Sequence, residues 1–98
     1  MPIEKIAPEM DRIVAANQEV EELGAGFGGD LGVAEGPVWW KEDGYLLFSD
    51  IHANQRMKYA QGEGVSVFSE PTNRANGLTR DLQGRLIAAE HDSRRVTR

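Results

Sequence analysis

"GYLLFSD", residues 44–50, returns 40 positions later as "GRLIAAE", residues 84–90. In both copies a glycine closes a polar turn, an apolar pair follows, and an acid ends the run. Upstream the parallel continues: Glu35-Gly36 in "VAEGPVWW" (33–40) stands where Asn76-Gly77 stands in "ANGLTRD" (75–81), a spacing of 40 or 41. Between the copies lie "RMKYA" (56–60) and "VSVFSE" (65–70), set off by the polar turns "HANQ" and "QGEG". Short apolar runs separated by Gly, Asn and Asp turns read as strands of an antiparallel meander. A period of roughly 40 residues with four strands per unit is the sequence signature of propeller blades. The fold class expected is therefore all-β.

On this reading residues 33–98 hold one full blade and three strands of a second, about one and three-quarter blades in all. Residues 1–32 form a lead-in. Within it "PEMDRIVAA" (8–16) has Pro at the first helical position, acids near the positive end, and Met10, Ile13 and Val14 on one face, which predicts a short helix. Val20 and Leu23 fit a continued helix or a short strand, and the glycines from 24 onward end either one. A blade buries its faces only against neighbouring blades, and a ring needs at least about four of them. The expectation is thus that the chain is the N-terminal portion of a longer propeller. Alone it would carry an unpaired strand edge.

Composition narrows the function classes. A net charge of −5 with a single short basic cluster, "RRVTR" at 94–98, argues against a nucleic-acid binder, because phosphate affinity rests on clustered Lys and Arg. There is no cysteine, which removes disulfides and thiolate metal sites. The start "MPIEKIAPEMDR" lacks the basic and apolar regions of a secretory signal, and no run approaches the ~20 apolar residues of a membrane helix. A cytoplasmic protein without membrane or nucleic-acid partners is expected.

Candidate chemistry sits at the strand ends. Glu35, at the start of a blade's first strand, faces the ring axis. A carboxylate there either caps backbone N–H groups and stays solvated, or meets a cation. Asn76, one blade on, is either a turn residue before Gly77 or a pocket-lining carboxamide for a substrate hydroxyl or metal-bound water. His91 ends the second strand of its blade and falls on the same face, where an imidazole can act as general base or be satisfied by Glu90, Asp92 or the backbone. His52 shares that face in a more solvated turn. Asp50 and Glu90 close equivalent strands, which favours a structural hydrogen-bonding role. Trp39, Trp40, Phe48 and Phe68 are expected mainly to fill the space between blades, and Arg94, Arg95 and Arg98 to face solvent or meet acids of the next blade. No G-x-S-x-G is present, so a covalent acyl-enzyme is not expected. "GAGFGG" (24–29) opens no helix and does not read as a dinucleotide loop.

"EGPVWW…GYLLFSDI", "VSVFSEPTNRANGLTRDLQGRLIAAEH" and "RRVTR", taken together, resemble the gluconolactonase family, which includes senescence marker protein (regucalcin) and luciferin-regenerating enzyme. The resemblance runs through residues 33–98 and is looser upstream. It implies a six-bladed propeller hydrolysing small-molecule lactones of sugar acids, with one divalent metal in the central channel. Ca²⁺ is the first expectation, with Zn²⁺, Mg²⁺ and Mn²⁺ as alternatives. It implies that Glu35 is a metal ligand, that the remaining ligands (an Asn and an Asp) lie past residue 98, and that the strand near 19–24 closes the ring. Asn76 becomes the expected substrate-binding residue and His91 the expected catalytic base. The alternatives are a non-catalytic propeller binding module and an inactive truncated remnant; the sequence leaves the oligomeric state open.

Overall fold

The computed structural model describes residues 1–31 and 33–98, so the boundary placed at residue 32 falls on a residue outside the described ones. Among the described residues seven strands form two antiparallel sheets. The first holds β1 (Ala34–Trp40), β2 (Tyr45–Asp50), β3 (Gln55–Ala60) and β4 (Gly64–Ser69) in that order. The second holds β5 (Ala75–Arg80), β6 (Leu86–Glu90) and β7 (Arg95–Thr97), also in order. These are the strands the period-2 runs predict, and the meander follows from turns too short for any crossover.

The repeat extends to the irregularities of the ladders. In β1 the pairing with β2 shifts register between Glu35 and Val38, and in β5 the pairing with β6 shifts between Ala75 and Leu78. A bulge at the same place in both first strands bends each where it meets its neighbour. Gly36 has φ +65°, and a Cβ built there would lie 2.4 Å from the Asn76 carbonyl oxygen. The first strands therefore approach backbone to backbone, and glycine permits the approach. Ser49, 1% exposed, donates its hydroxyl to that same Asn76 carbonyl at 2.7 Å, so the buried polar group is satisfied.

Around this seam Leu47, Ala75 and Ala88 are buried, and Met57, paired with Phe48, is buried on the other face of the first sheet. At the far end of the first strands Arg80 lies over the Trp40 ring, 4.0 Å from its centroid, and donates to both Glu42 carboxylate oxygens at 2.8 and 3.1 Å. Its Nη2 also donates to the Gly84 carbonyl at 3.1 Å. One side chain thus ties the β1–β2 turn to the β5–β6 turn through a stacked, bidentate contact that Lys could not reproduce.

Three details differ from expectation. The lead-in helix is a single 3₁₀ segment, Pro8–Arg12, with no side-chain cap at Ala7 and no buried residue. Ile13 is 78% exposed, so the apolar stripe has nothing to pack on, and an isolated turn does not propagate. Residues 19–24 form no strand within the chain; Glu19 makes one antiparallel bridge to Pro2. A second 3₁₀ turn, Gly29–Leu31, precedes β1. Of the four aromatics expected between blades, Trp40 stacks with Tyr45 and Phe48 meets Phe27 edge-on at 5.1 Å, whereas Trp39 and Phe68 remain exposed. Trp39 pairs with Leu46, one residue out of phase with Trp40, which turns it to the face that the second sheet does not cover.

Candidate active site

The ends of β2 and β6 and the starts of β1 and β5 lie at one end of the two sheets, opposite the Arg80 contact. There Ile51, His52, Arg74, Asn76 and His91 line an open depression of about 300 Å³. Glu35 pairs with Ser49 in the β1–β2 ladder at this end, is exposed, and does not line the depression.

The turns are held by local acceptors. Asn54 adopts φ +58°, a conformation asparagine tolerates, and its Oδ1 accepts from the Thr72 N–H at 3.1 Å and the Arg74 N–H at 2.8 Å. The Arg74 carbonyl in turn accepts the His91 N–H at 3.4 Å, and the Asn73 carbonyl accepts the Asp92 N–H at 3.0 Å. One carboxamide in the first blade thereby fixes the strand-to-strand link that carries Arg74 and, through it, the backbone of His91. The sequence reading singled out neither Asn54 nor Arg74. The sign of Asn54 was its place in the polar turn "HANQ", where a positive φ suits Asn; Arg74 gave no sign, because its place depends on that distant acceptor.

Asn76 stands both at the turn and at the depression. Its Oδ1 accepts the Gly77 N–H at 2.7 Å, as a turn asparagine does, while the residue lines the depression. Its Nδ2 donors have no protein partner among the described residues, so they can serve a ligand oxygen. His91 and His52 are both exposed and line the same depression.

Asp50 and Glu90 are structural, as their repeat predicts. Asp50, 5% exposed, accepts from the Gly28 N–H at 2.9 Å and the Ala53 N–H at 3.3 Å. Glu90 accepts from Ser93, Thr97 and Asn73, with Arg95 at 3.7 Å. The hydroxyls of Ser93 and Thr97 and the Asn73 amide favour the ionised form and hold its pKa down at about 2, from 4.5. A depressed carboxylate contributes stability above its unfolded-state pKa, and that contribution fades as pH falls from about 4.5 towards 2. Glu90→Gln is therefore expected to flatten the acid limb of a melting-temperature profile across this window. An unchanged acid limb would assign the loss to other groups.

A hard divalent cation takes six to eight oxygens. Glu35 supplies at most two, and among the described residues no group of three or more His, Asp or Glu comes together.

Residues 33–98 match the family model of the SMP-30/gluconolactonase/LRE-like region. The chain is 30% identical to the gluconolactonase of Zymomonas mobilis over 96% of its own length and 29% of that protein's. It superposes on an X-ray structure described as a gluconolactonase with a TM-score of 0.76 at 30% identity, covering 93% of this chain and 30% of the other. A gluconolactonase from Xanthomonas campestris gives a TM-score of 0.60 at 32% identity, over 64% and 21% of the two chains. The chain thus spans less than a third of the length of these relatives. With the family model matching the whole two-sheet region, the chain belongs to the SMP-30/gluconolactonase/LRE-like family.

Proposed function

We propose that this chain supplies the first blades of a metal-dependent hydrolase acting on sugar-acid lactones, and that its part of the site is incomplete by itself. The observation that carries the reading is the convergence of Asn76, His91, His52 and Arg74 on one depression, at the end of the sheets where Glu35 begins β1. Asn76 Nδ2 offers donors to a lactone hydroxyl, and the Arg74 guanidinium offers a partner for the carboxylate product. The His91 imidazole can take a proton from an attacking water. Glu35 is assigned as one oxygen ligand of a divalent ion, Ca²⁺ before Zn²⁺, Mg²⁺ or Mn²⁺, with the other ligands outside these 98 residues. When bound, such an ion supplies Lewis-acid polarisation of the carbonyl.

The test uses the 98-residue chain. Calorimetric titration with Ca²⁺ and with Zn²⁺ is expected to show no tight saturable binding, and a pH-stat assay with gluconolactone no turnover above the spontaneous rate. Tight binding and turnover that both disappear in Glu35→Gln would keep the lactonase assignment and refute the incompleteness. Extending the chain with the remaining blades and finding a stable, metal-replete propeller without lactonase activity would instead favour a binding module.

A further inference from the structure

We propose that Asn76-Gly77 is a self-modification site: in the folded chain the Gly77 nitrogen closes on the Asn76 side-chain carbonyl, expels ammonia and leaves a carboxylate at the depression. The chemistry is asparagine deamidation, and its only co-reactant is water. It does not rest on the lactonase reading, and its test reads mass and not turnover, so the two fail separately.

Asparagine before glycine is open to this reaction because no side chain shields the attacking nitrogen. A strand ordinarily protects such a pair by tying the glycine N–H into the ladder. Here the β5–β6 pairing shifts register between Ala75 and Leu78, so Asn76 and Gly77 stand in a bulge. The Gly77 N–H donates instead to Asn76 Oδ1 at 2.7 Å. The carbon to be attacked is one C=O bond from that oxygen, which puts it no more than about 4 Å from the nitrogen, next to near-attack range. The Asn76 main-chain carbonyl and the Gly77 N–H share one peptide plane. That carbonyl accepts the Ser49 hydroxyl at 2.7 Å, so the seam between the sheets holds the orientation of the nucleophile. Gly77 is exposed and Asn76 lines the open depression, so water reaches both groups.

The Gly77 nitrogen gives its proton to hydroxide, the N–Cγ bond forms, and the Cγ–Nδ2 bond breaks. Nδ2 leaves as ammonia, taking the proton it needs from water. Water then opens the five-membered imide at either carbonyl, giving aspartate or isoaspartate at position 76. Nothing is oxidised or reduced. The aspartate product makes the second blade repeat the first, an acid before glycine as in Glu35-Gly36. It replaces the Nδ2 donors at the depression by a negative charge. Isoaspartate instead routes the main chain through the side chain and turns the carbonyl that holds Ser49 into a free carboxylate, which loosens the seam.

The test is peptide mapping of the folded chain after incubation at mildly alkaline pH, against a zero-time control. Trypsin releases residues 75–80, between Arg74 and Arg80, as one fragment. That fragment is expected to gain the mass of an amide exchanged for an acid, and part of it to accept a methyl group from isoaspartyl methyltransferase. Its rate should equal or exceed that of a synthetic peptide of residues 72–80, while the fragments holding Asn17, Asn54 and Asn73 stay unchanged. Gly77→Ala places its carbon in open space, with nothing within 4 Å and no left-handed φ, so it should melt as wild type. It is expected to slow the conversion about tenfold, equivalent to about 1.4 kcal/mol on the barrier. A fragment that keeps its amide overturns the proposal. So does conversion slower in the folded chain than in the peptide, or equally fast in Gly77→Ala.

Discussion

Gly36→Ala is expected to cost the fold about 2–5 kcal/mol. Two terms add at this position. An alanine in the left-handed region costs about 1–2 kcal/mol, and Gly36 has φ +65°. The new Cβ would also lie 2.4 Å from the Asn76 carbonyl oxygen and 3.0 Å from the Leu78 nitrogen, both backbone atoms that no rotamer change can move. The sheets must part, at a cost of the order of an overpacked core, roughly 1–3 kcal/mol. Gly62→Ala separates the terms: its φ is +83°, but nothing lies within 4 Å of the added carbon, so only the conformational cost applies. Urea melts of the two variants should differ by the contact term. Equal losses would mean that the first strands do not meet at Gly36. The change should also disturb the Ser49–Asn76 hydrogen bond, and with it the placement of Asn76 at the depression.

Leu47→Ala is the second large effect, an expected loss of about 2–5 kcal/mol, the range for emptying a buried leucine site. Leu47 is 1% exposed and stands in β2 between Val38 and Lys58, on the face turned to the second sheet. Small all-β units hold little core in reserve, so much of the total stability of about 5–15 kcal/mol depends on this side chain. Leu82→Ala, at a fully exposed turn leucine, is the comparison and should fall within about 0.5 kcal/mol of wild type. Similar losses in both would place the core elsewhere.

The strands could be read from the sequence because alternation and turn glycines are local. "YLLFSD" and "LIAAE" reappear as β2 and β6, and the slip from a spacing of 41 to 40 reflects a turn one residue longer after Trp40 than after Asp81. The meeting of Asn76 and His91 followed from strand direction alone, since antiparallel neighbours return to the same end. What escaped were long-range acceptors. Asn54 captures a link 18–20 residues away, and Arg80 reaches Glu42 across 38 residues, distances over which no periodicity runs. The lead-in failed for a related reason: its helical pattern was correct in spacing but had no surface to bury against.

The paired acids Asp50 and Glu90 carry one more consequence. Each is bonded to the segment that enters its sheet from upstream, Gly28 in one case and Asn73 in the other, so a sheet is latched to its incoming link. The closed structural module is thus shifted from the sheet as drawn. It begins at the link and runs through all four strands of the sheet to Ser69, where the next link begins. A duplication or graft cut at the start of β1 or β5 would sever a latch, whereas one cut near residue 27 or residue 70 would carry it along. In this protein the natural seam lies at the head of each incoming link and not at the first residue of the sheet.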